Sequence, residues 1–262
     1  KIKQKKLKIL NPIYNDLVSI IMPTYNSENY ISESIKSVIN QSYENWELLL
    51  TDDFSTDNTI KIIHDFQKHD DRIILFNLKV NKGSGAARNN SISNAKGRFI
   101  AFLDSDDRWK PNKLKTQIDF MLFNKLALTY SGYDIINEKG AYIKTIIAPK
   151  SINYSEILSN NYIGCLTAIY DTNSIGKKYM PDIRRRQDWV LWINILELIR
   201  ETKGITDSLA IYVDRKDSIS GNKFLMLKYN WKVYSDILGF NKVKSFFLMI
   251  NFIIHYAIKK IK

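Results

Sequence analysis

The sequence predicts an α/β fold in which a parallel sheet is wrapped by helices. Two features carry this prediction. Short apolar runs alternate with segments of helical period through the first 110 residues, and most of the apolar runs stop abruptly at polar or acidic residues. The chain has 262 residues, 45% hydrophobic and 25% charged, which is ample for a large core and ordinary for a globular protein.

In order along the chain, residues 18–22 (VSIIM) form an apolar run ending at Pro23, the pattern of a buried strand. Residues 30–40 place Ile31, Ile35, Val38 and Ile39 on one helical face. Residues 46–51 (WELLLT) are a second strand. Residues 55–68 open with the cap-rich STDNT and continue as a helix. Residues 72–76 (RIILF) are a third strand, 85–95 a helix and 98–103 (RFIAFL) a fourth strand. Beyond these, the pattern predicts a helix over 112–124, a hairpin over 127–147 turning at 137–140 and a helix over 154–160. It continues with a strand over 165–170, a helix over 188–200, a strand over 208–213 and a helix over 223–238.

Charge and cysteine content exclude several classes. The net charge is +12, but residues 1–10 and 242–262 each hold five lysines and no acid. Without those ten lysines, 29 basic residues face 27 acidic ones, so the body is nearly neutral. Basic ends beside apolar segments suit an anionic membrane surface; a nucleic-acid reader carries its charge on a folded face, so no nucleic-acid partner is expected. Solvated tails without a partner are the plainer alternative. Cys165 is the single cysteine, which rules out an intrachain disulfide and fits a cytoplasmic setting. Three scattered histidines leave carboxylates as the metal ligands, hence Mg²⁺ or Mn²⁺. Residues 1–17 lack the apolar core of a signal peptide.

In open α/β sheets ligands sit beyond the carboxyl ends of the strands. There the sequence places Pro23-Thr24-Tyr25-Asn26, then Thr51-Asp52-Asp53-Phe54, then Asn81 to Asn89, then Asp104-Ser105-Asp106-Asp107. Neither a GxGxxG after the first strand nor a P-loop is present, which removes NAD enzymes and P-loop NTPases. Asp104 and Asp106, two apart, leave an extended strand on the same side and can present oxygens to a hard cation; a solvated turn with Asp107 as a helix cap is the alternative.

These segments, read together as VSIIMPTYN, DDFSTDNT, NKGSGAARN, FLDSDD and RRQDWVLW, resemble the family 2 inverting glycosyltransferases of the GT-A fold over about residues 17–220. Within that family the sequence looks like bacterial enzymes of the teichuronic-acid, capsule and O-antigen type. The chain divides into a basic segment 1–17, a catalytic domain 18–220 that the resemblance covers, and a helical tail 221–262 whose lysines and apolar stripe suit a membrane surface. The catalytic domain would split into a nucleotide-sugar half (18–110) and an acceptor half (111–220). The resemblance implies that Tyr25 and Asp53 hold the nucleobase with backbone contacts from Pro23 and Thr24, that Arg88 lies near the base or the phosphates, that Asp104 faces ribose or sugar hydroxyls with Ser105 in the same nucleotide-sugar site, and that Asp106 ligates Mn²⁺ or Mg²⁺. Phe54 stands where the family usually has a small residue.

The same resemblance makes Asp188 the base of a single displacement from a UDP-sugar, with capping of helix 188–200 as the alternative. Gln187 replaces the usual glutamate. Arg184, Arg185 and Arg186 could grip a diphosphate or lie as a solvated loop, and Arg215 replaces an arginine expected at Val213. Trp189 and Trp192 are expected in the core. The acceptor implied is a lipid-linked saccharide at the inner face of the plasma membrane, and residues 245–258 read as an interfacial helix too short to span, with a terminal helix packed on the core as the alternative. Two rivals stay open at this point: a sugar nucleotidyltransferase, and an inactive binding subunit of the same fold.

Overall fold

The computed structural model describes residues 16–215 and 223–261. The lysines of residues 1–8, together with Lys216, Ser218, Ser220 and Lys262, lie outside the described residues, as do the side chains of Ala257, Lys259 and Lys260. The chain runs β1 (Val18–Thr24), α1 (Ile31–Ile39), β2 (Trp46–Asp52), α2 (Thr59–Gln67), β3 (Ile73–Asn77), α3 (Ser84–Asn94), β4 (Phe99–Phe102), β5 (Arg108–Trp109), α4 (Lys113–Asn124), β6 (Leu128–Asn137) and β7 (Tyr142–Ile146). It continues through β8 (Ser151–Asn153), α5 (Tyr154–Ser159), β9 (Ile169–Asp171), α6 (Thr172–Ile175), α7 (Gln187–Ile199), β10 (Glu201–Asp214), α8 (Lys223–Lys232) and α9 (Lys242–Ile261).

One sheet joins these strands in the order β3-β2-β1-β4-β9-β6-β10-β5, with β7 on β6 and β8 on β10. The four strands β3, β2, β1 and β4 are mutually parallel. Every residue of β1, β2 and β4 is buried, as expected of strands covered on both faces. The chain leaves β1 for β2 and β3 on one side, then returns to place β4 on the other. The gap beyond the carboxyl ends of β1 and β4 is therefore a topological switch point, where such sheets bind ligands.

Small residues let α3 approach this sheet closely. Gly85, Ala87 and Ser91 are buried, and Ser91 Oγ donates to Leu49 O at 3.0 Å. The strand β9 enters antiparallel between β4 and β6 and ties the parallel half to the rest. Behind it, α7 is buried along most of its length. Trp189 and Trp192 are fully enclosed, so both belong to the core.

Three elements depart from the sequence pattern. Residues 165–167 form a single tight turn and the strand begins only at Ile169, because Thr167 bonds back to Gly164 O through both its amide and its hydroxyl. The strand expected at 208–213 starts seven residues earlier. Its first half, Glu201 to Asp207, puts Thr202 and Gly204 inward, and small or polar residues there hide the alternation. The helix expected over 223–238 changes at Val233 to an i→i−5 turn, with Leu238 N donating to Val233 O.

Phe54 occupies a left-handed backbone position, φ +71°, with its ring 52% exposed. This accounts for the small residue expected there: only glycine adopts that region without strain. Phe54→Gly is expected to stabilise the fold by about 0.5–1 kcal/mol, relief of strain less the added chain entropy. The check is the denaturant midpoint; a lower one would show that the exposed ring packs more than it strains.

Candidate active site

The first wall of the switch-point cleft is the end of β1. Thr24 is buried and donates through Oγ1 to Asp52 Oδ1 at 3.0 Å, and Tyr25, just beyond, leaves half its surface in water. Asp52 also receives the amide and hydroxyl of Ser55, which folds the loop after β2 back on itself. Asp53 is buried. Its two carboxylate oxygens accept the amides of Lys82 and Gly83, each at 2.7 Å. Asp53 thus braces the turn that starts α3, and each oxygen keeps lone pairs for one further donor. Gly83 makes the turn possible with φ +89°.

The second wall is the acidic run after β4. Ser105 is buried, with its Oγ 2.7 Å from Ser27 Oγ and its carbonyl accepting from Ser34 Oγ, so this segment is pinned to α1. Asp104 points the other way, to Arg88 on α3, at 2.5 Å. Asp107 is buried and accepts the amide of Val213 at 3.0 Å, fixing the end of β10 beside the run. That anchorage carries Arg215 to Asp106, Nε to Oδ2 2.9 Å, with its guanidinium 4.9 Å from the ring of Tyr30.

Three carboxylates this close repel one another. Burial first, then the charge of Asp104, pushes Asp106 up from the ordinary carboxylate range, with Arg215 pulling back. Asp107 is pushed up further, by burial and then by Asp106 and Asp104. Arg88 shows the complement: burial is the largest influence and works against its cation, but Asp104, Cys165 and Asp188 together outweigh it, and the guanidinium lies above its ordinary value.

The third wall is the amino end of α7. Gln187 is buried; its Oε1 accepts from Arg88 at 3.3 Å and from Ser84 Oγ at 3.2 Å, while its amide donates to Ile183 O. Gly85 is what admits it, since a Cβ at Gly85 would stand 2.6 Å from Gln187 Nε2. Asp188 follows, partly exposed in the first turn, and accepts from Asn161 Nδ2 at 2.9 Å. A carboxylate there is favoured by the helix dipole.

Cys165 lies among these groups. Burial, and then Asp104, Asp188 and Asp107 against the opposing Arg88, push its thiol well up, so it stays protonated. The structure therefore brings Arg88, Asp104, Gln187 and Asp188 to one cleft with Asp106 and Arg215 beside it.

The three arginines before α7 point in different directions. Arg184 is exposed, and Arg185 reaches Met226 of α8. Arg186 is left-handed, φ +67°, and turns its guanidinium inward to 5.4 Å from the ring of Trp189 and 5.6 Å from that of Phe252. Burial pulls the Arg186 cation down from its ordinary value, against the attraction of Asp188. Asn161 and Cys165 carried no signal in the sequence; Ser84 and Gly85 lay within the NKGSGAARN segment, but nothing there named Gln187 as their partner.

A hard divalent cation fits this donor set. Among the described residues no three acid, cysteine or histidine side chains converge as a ready cage. One carboxylate is nonetheless sufficient for an ion that draws its remaining ligands from water and substrate phosphates, and Asp106, already paired with one cation at Arg215, is the carboxylate here that could take a second.

Residues 19–188 match the family model described as glycosyl transferase family 2. The putative teichuronic acid biosynthesis glycosyltransferase TuaG of Bacillus subtilis (strain 168) is 40% identical over 233 residues, covering 88% of this chain and 92% of that protein. WfgD of Escherichia coli, named a UDP-Glc:alpha-D-GlcNAc-diphosphoundecaprenol beta-1,3-glucosyltransferase, is 42% identical over 247 residues, covering 93% and 94%. Among solved structures, S. aureus TarS 1–349 in complex with UDP-GlcNAc superimposes with a TM-score of 0.67 at 20% identity, over 90% of this chain and 71% of that one. A switch-point cleft of this make-up, in a sheet shared with TarS and a sequence shared with TuaG and WfgD, places the chain in glycosyltransferase family 2, with the GT-A fold.

Proposed function

We propose that this glycosyltransferase moves a hexose or N-acetylhexosamine from a UDP-sugar onto a lipid-linked saccharide at the inner face of the plasma membrane, by single displacement with inversion. The observation that carries the reading is the placement of Asp188 across the cleft from the acidic run, linked to it through Gln187, Arg88 and Asp104. The donor and acceptor classes are those for which WfgD is named.

In this reading Tyr25 offers its half-exposed ring to the uracil, and Asp53 uses a remaining lone pair for the imide N–H. Pro23 and Thr24 shape the floor, and Ser105 holds the acidic run in place. Arg88 fixes Asp104 so that its free oxygen faces sugar hydroxyls. Asp106 would hold Mn²⁺ or Mg²⁺, which when bound would neutralise charge on the departing diphosphate. Arg215, beside Asp106 at the edge of the acidic run, would bind the phosphates. Asp188 takes the proton of the acceptor hydroxyl as its oxygen bonds to the anomeric carbon and the bond to UDP breaks. Gln187 orients Arg88 and the sugar.

The test is transfer from a panel of UDP-sugars to a lipid-linked saccharide, with the anomeric configuration of the product read by NMR. Retention of the donor's configuration, or no transfer from any UDP-sugar, overturns the reading. Calorimetry addresses the ion: UDP is expected to bind more tightly with Mn²⁺, and Asp106→Ala to abolish that gain while the protein stays folded. Equal affinity without metal in the wild type removes the ion from the mechanism.

A further inference from the structure

The helix α9 has two unlike faces. Ser245 and Phe252 are buried, and Leu248 and Met249 pack on the core. Phe252 meets Trp189 with ring centroids 5.7 Å apart. The other face carries Val243, Phe246, Phe247, Ile250, Ile253 and Ile254, each between 39% and 67% exposed. Nothing among the described residues covers them. A contiguous apolar stripe of this kind is not the normal dress of a surface helix and marks a site of association. The core thus takes only one edge of the helix that the sequence marked as amphipathic.

The charge around the stripe identifies the occupant. At 3.6 residues per turn, Lys242 and Lys244 fall on opposite flanks of the stripe, and residues 237–262 contain five lysines and no acid. A second copy of the chain packed stripe to stripe would bring these lysines against their own mates, which like-charge repulsion opposes. An anionic bilayer accepts both components at once, apolar side chains below the headgroups and ammonium groups among the phosphates. No helix among the described residues is long and apolar enough to cross a membrane, which leaves lying in the interface as the mode of contact.

We infer that α9 is an in-plane membrane-docking helix whose outer face enters an anionic lipid surface while its inner face is bolted through Phe252 to Trp189, the residue next to Asp188. This rests on the proposed lipid-linked acceptor for its purpose, though not for its geometry. It holds the amino end of α7 about one helix diameter, roughly 10 Å, from the lipid surface, where a sugar on a membrane-borne diphosphate is presented.

The experiment is flotation of the full chain with vesicles of phosphatidylcholine alone or mixed with phosphatidylglycerol. Binding is expected on the mixed vesicles and is expected to fall with added salt. The double substitution Phe247→Glu/Ile254→Glu should reduce that binding at least about tenfold, from the lost apolar burial alone, and leave UDP affinity and the thermal midpoint near wild type. Should that pair fail to fold, Lys242→Gln/Lys244→Gln, at exposed positions, should shift half-binding to lower salt. Absence of wild-type binding to phosphatidylglycerol vesicles overturns the inference. So does full binding by both double variants, or a concentration-dependent dimer in light scattering that the Phe247→Glu/Ile254→Glu pair dissolves without loss of vesicle binding. Flotation that persists in a protein unable to transfer from any UDP-sugar supports the docking helix and tells only against the proposed chemistry.

Discussion

Asp188→Asn should lower turnover by about 10²-fold or more, the usual worth of a positioned general base. The substitution is nearly isosteric, and Asn161 Nδ2 can still donate to the amide oxygen that replaces Oδ2. Gln187, Arg88 and Asp104 are untouched, so UDP-sugar affinity should stay within about twofold, well under 1 kcal/mol. Single-turnover rates and calorimetry on the same preparation separate the two effects. Loss confined to the chemical step assigns the proton to Asp188. Near-normal transfer moves the base elsewhere, and weakened donor binding with normal turnover would make Asp188 a ligand of the sugar.

Arg88→Met should act on both stability and binding. Arg88 is the buried cation to which Asp104 is tied, and removing one member of such a pair typically costs about 3–5 kcal/mol. The low end applies, about 3 kcal/mol, because the Asp104 side chain keeps 32% of its surface in water. UDP-sugar binding should fall as well, since Asp104 and Gln187 both lose their shared partner. Adding Asp104→Asn should recover most of the lost stability and none of the lost binding. Urea denaturation of the two single variants and the double variant closes the cycle. Strictly additive losses would show that the pair is not coupled.

What the sequence made legible follows from where single residues speak for themselves. The runs VSIIM, WELLL and FIAFL are apolar except for Ser19 and Glu47, which bond to each other, because their strands are covered on both faces, so β1, β2 and β4 and their parallel sheet could be read directly. The first half of β10 could not, because Thr202 and Gly204 do inside the sheet what a valine does elsewhere.

In the site the same contrast holds. Strand-end positions showed which residues gather at the cleft, but not their pairing. Nothing in a separation of sixteen residues joins Arg88 to Asp104, and nothing at Asp53 shows its oxygens turned to the amides of Lys82 and Gly83. The three arginines looked alike on the page, and only the left-handed backbone at Arg186 sends that one inward. The tail's stripe was legible by period, whereas Phe252, which anchors it, lay outside that stripe.

The position of β9 has a consequence for how the chain is made. The strand β4 lies between β1 and β9, so its second edge is covered only when residues 169–171 arrive, roughly seventy residues after FIAF has left the ribosome. Arg98 and Asp171, paired at 2.8 Å, latch that late strand in register. During the interval a wholly apolar strand stands with its amides and carbonyls open, the template on which unfolded chains join one another. A polypeptide cut after residue 110 remains in that interval permanently. Such a fragment is expected to aggregate more readily than the full chain, whose later residues cover that edge.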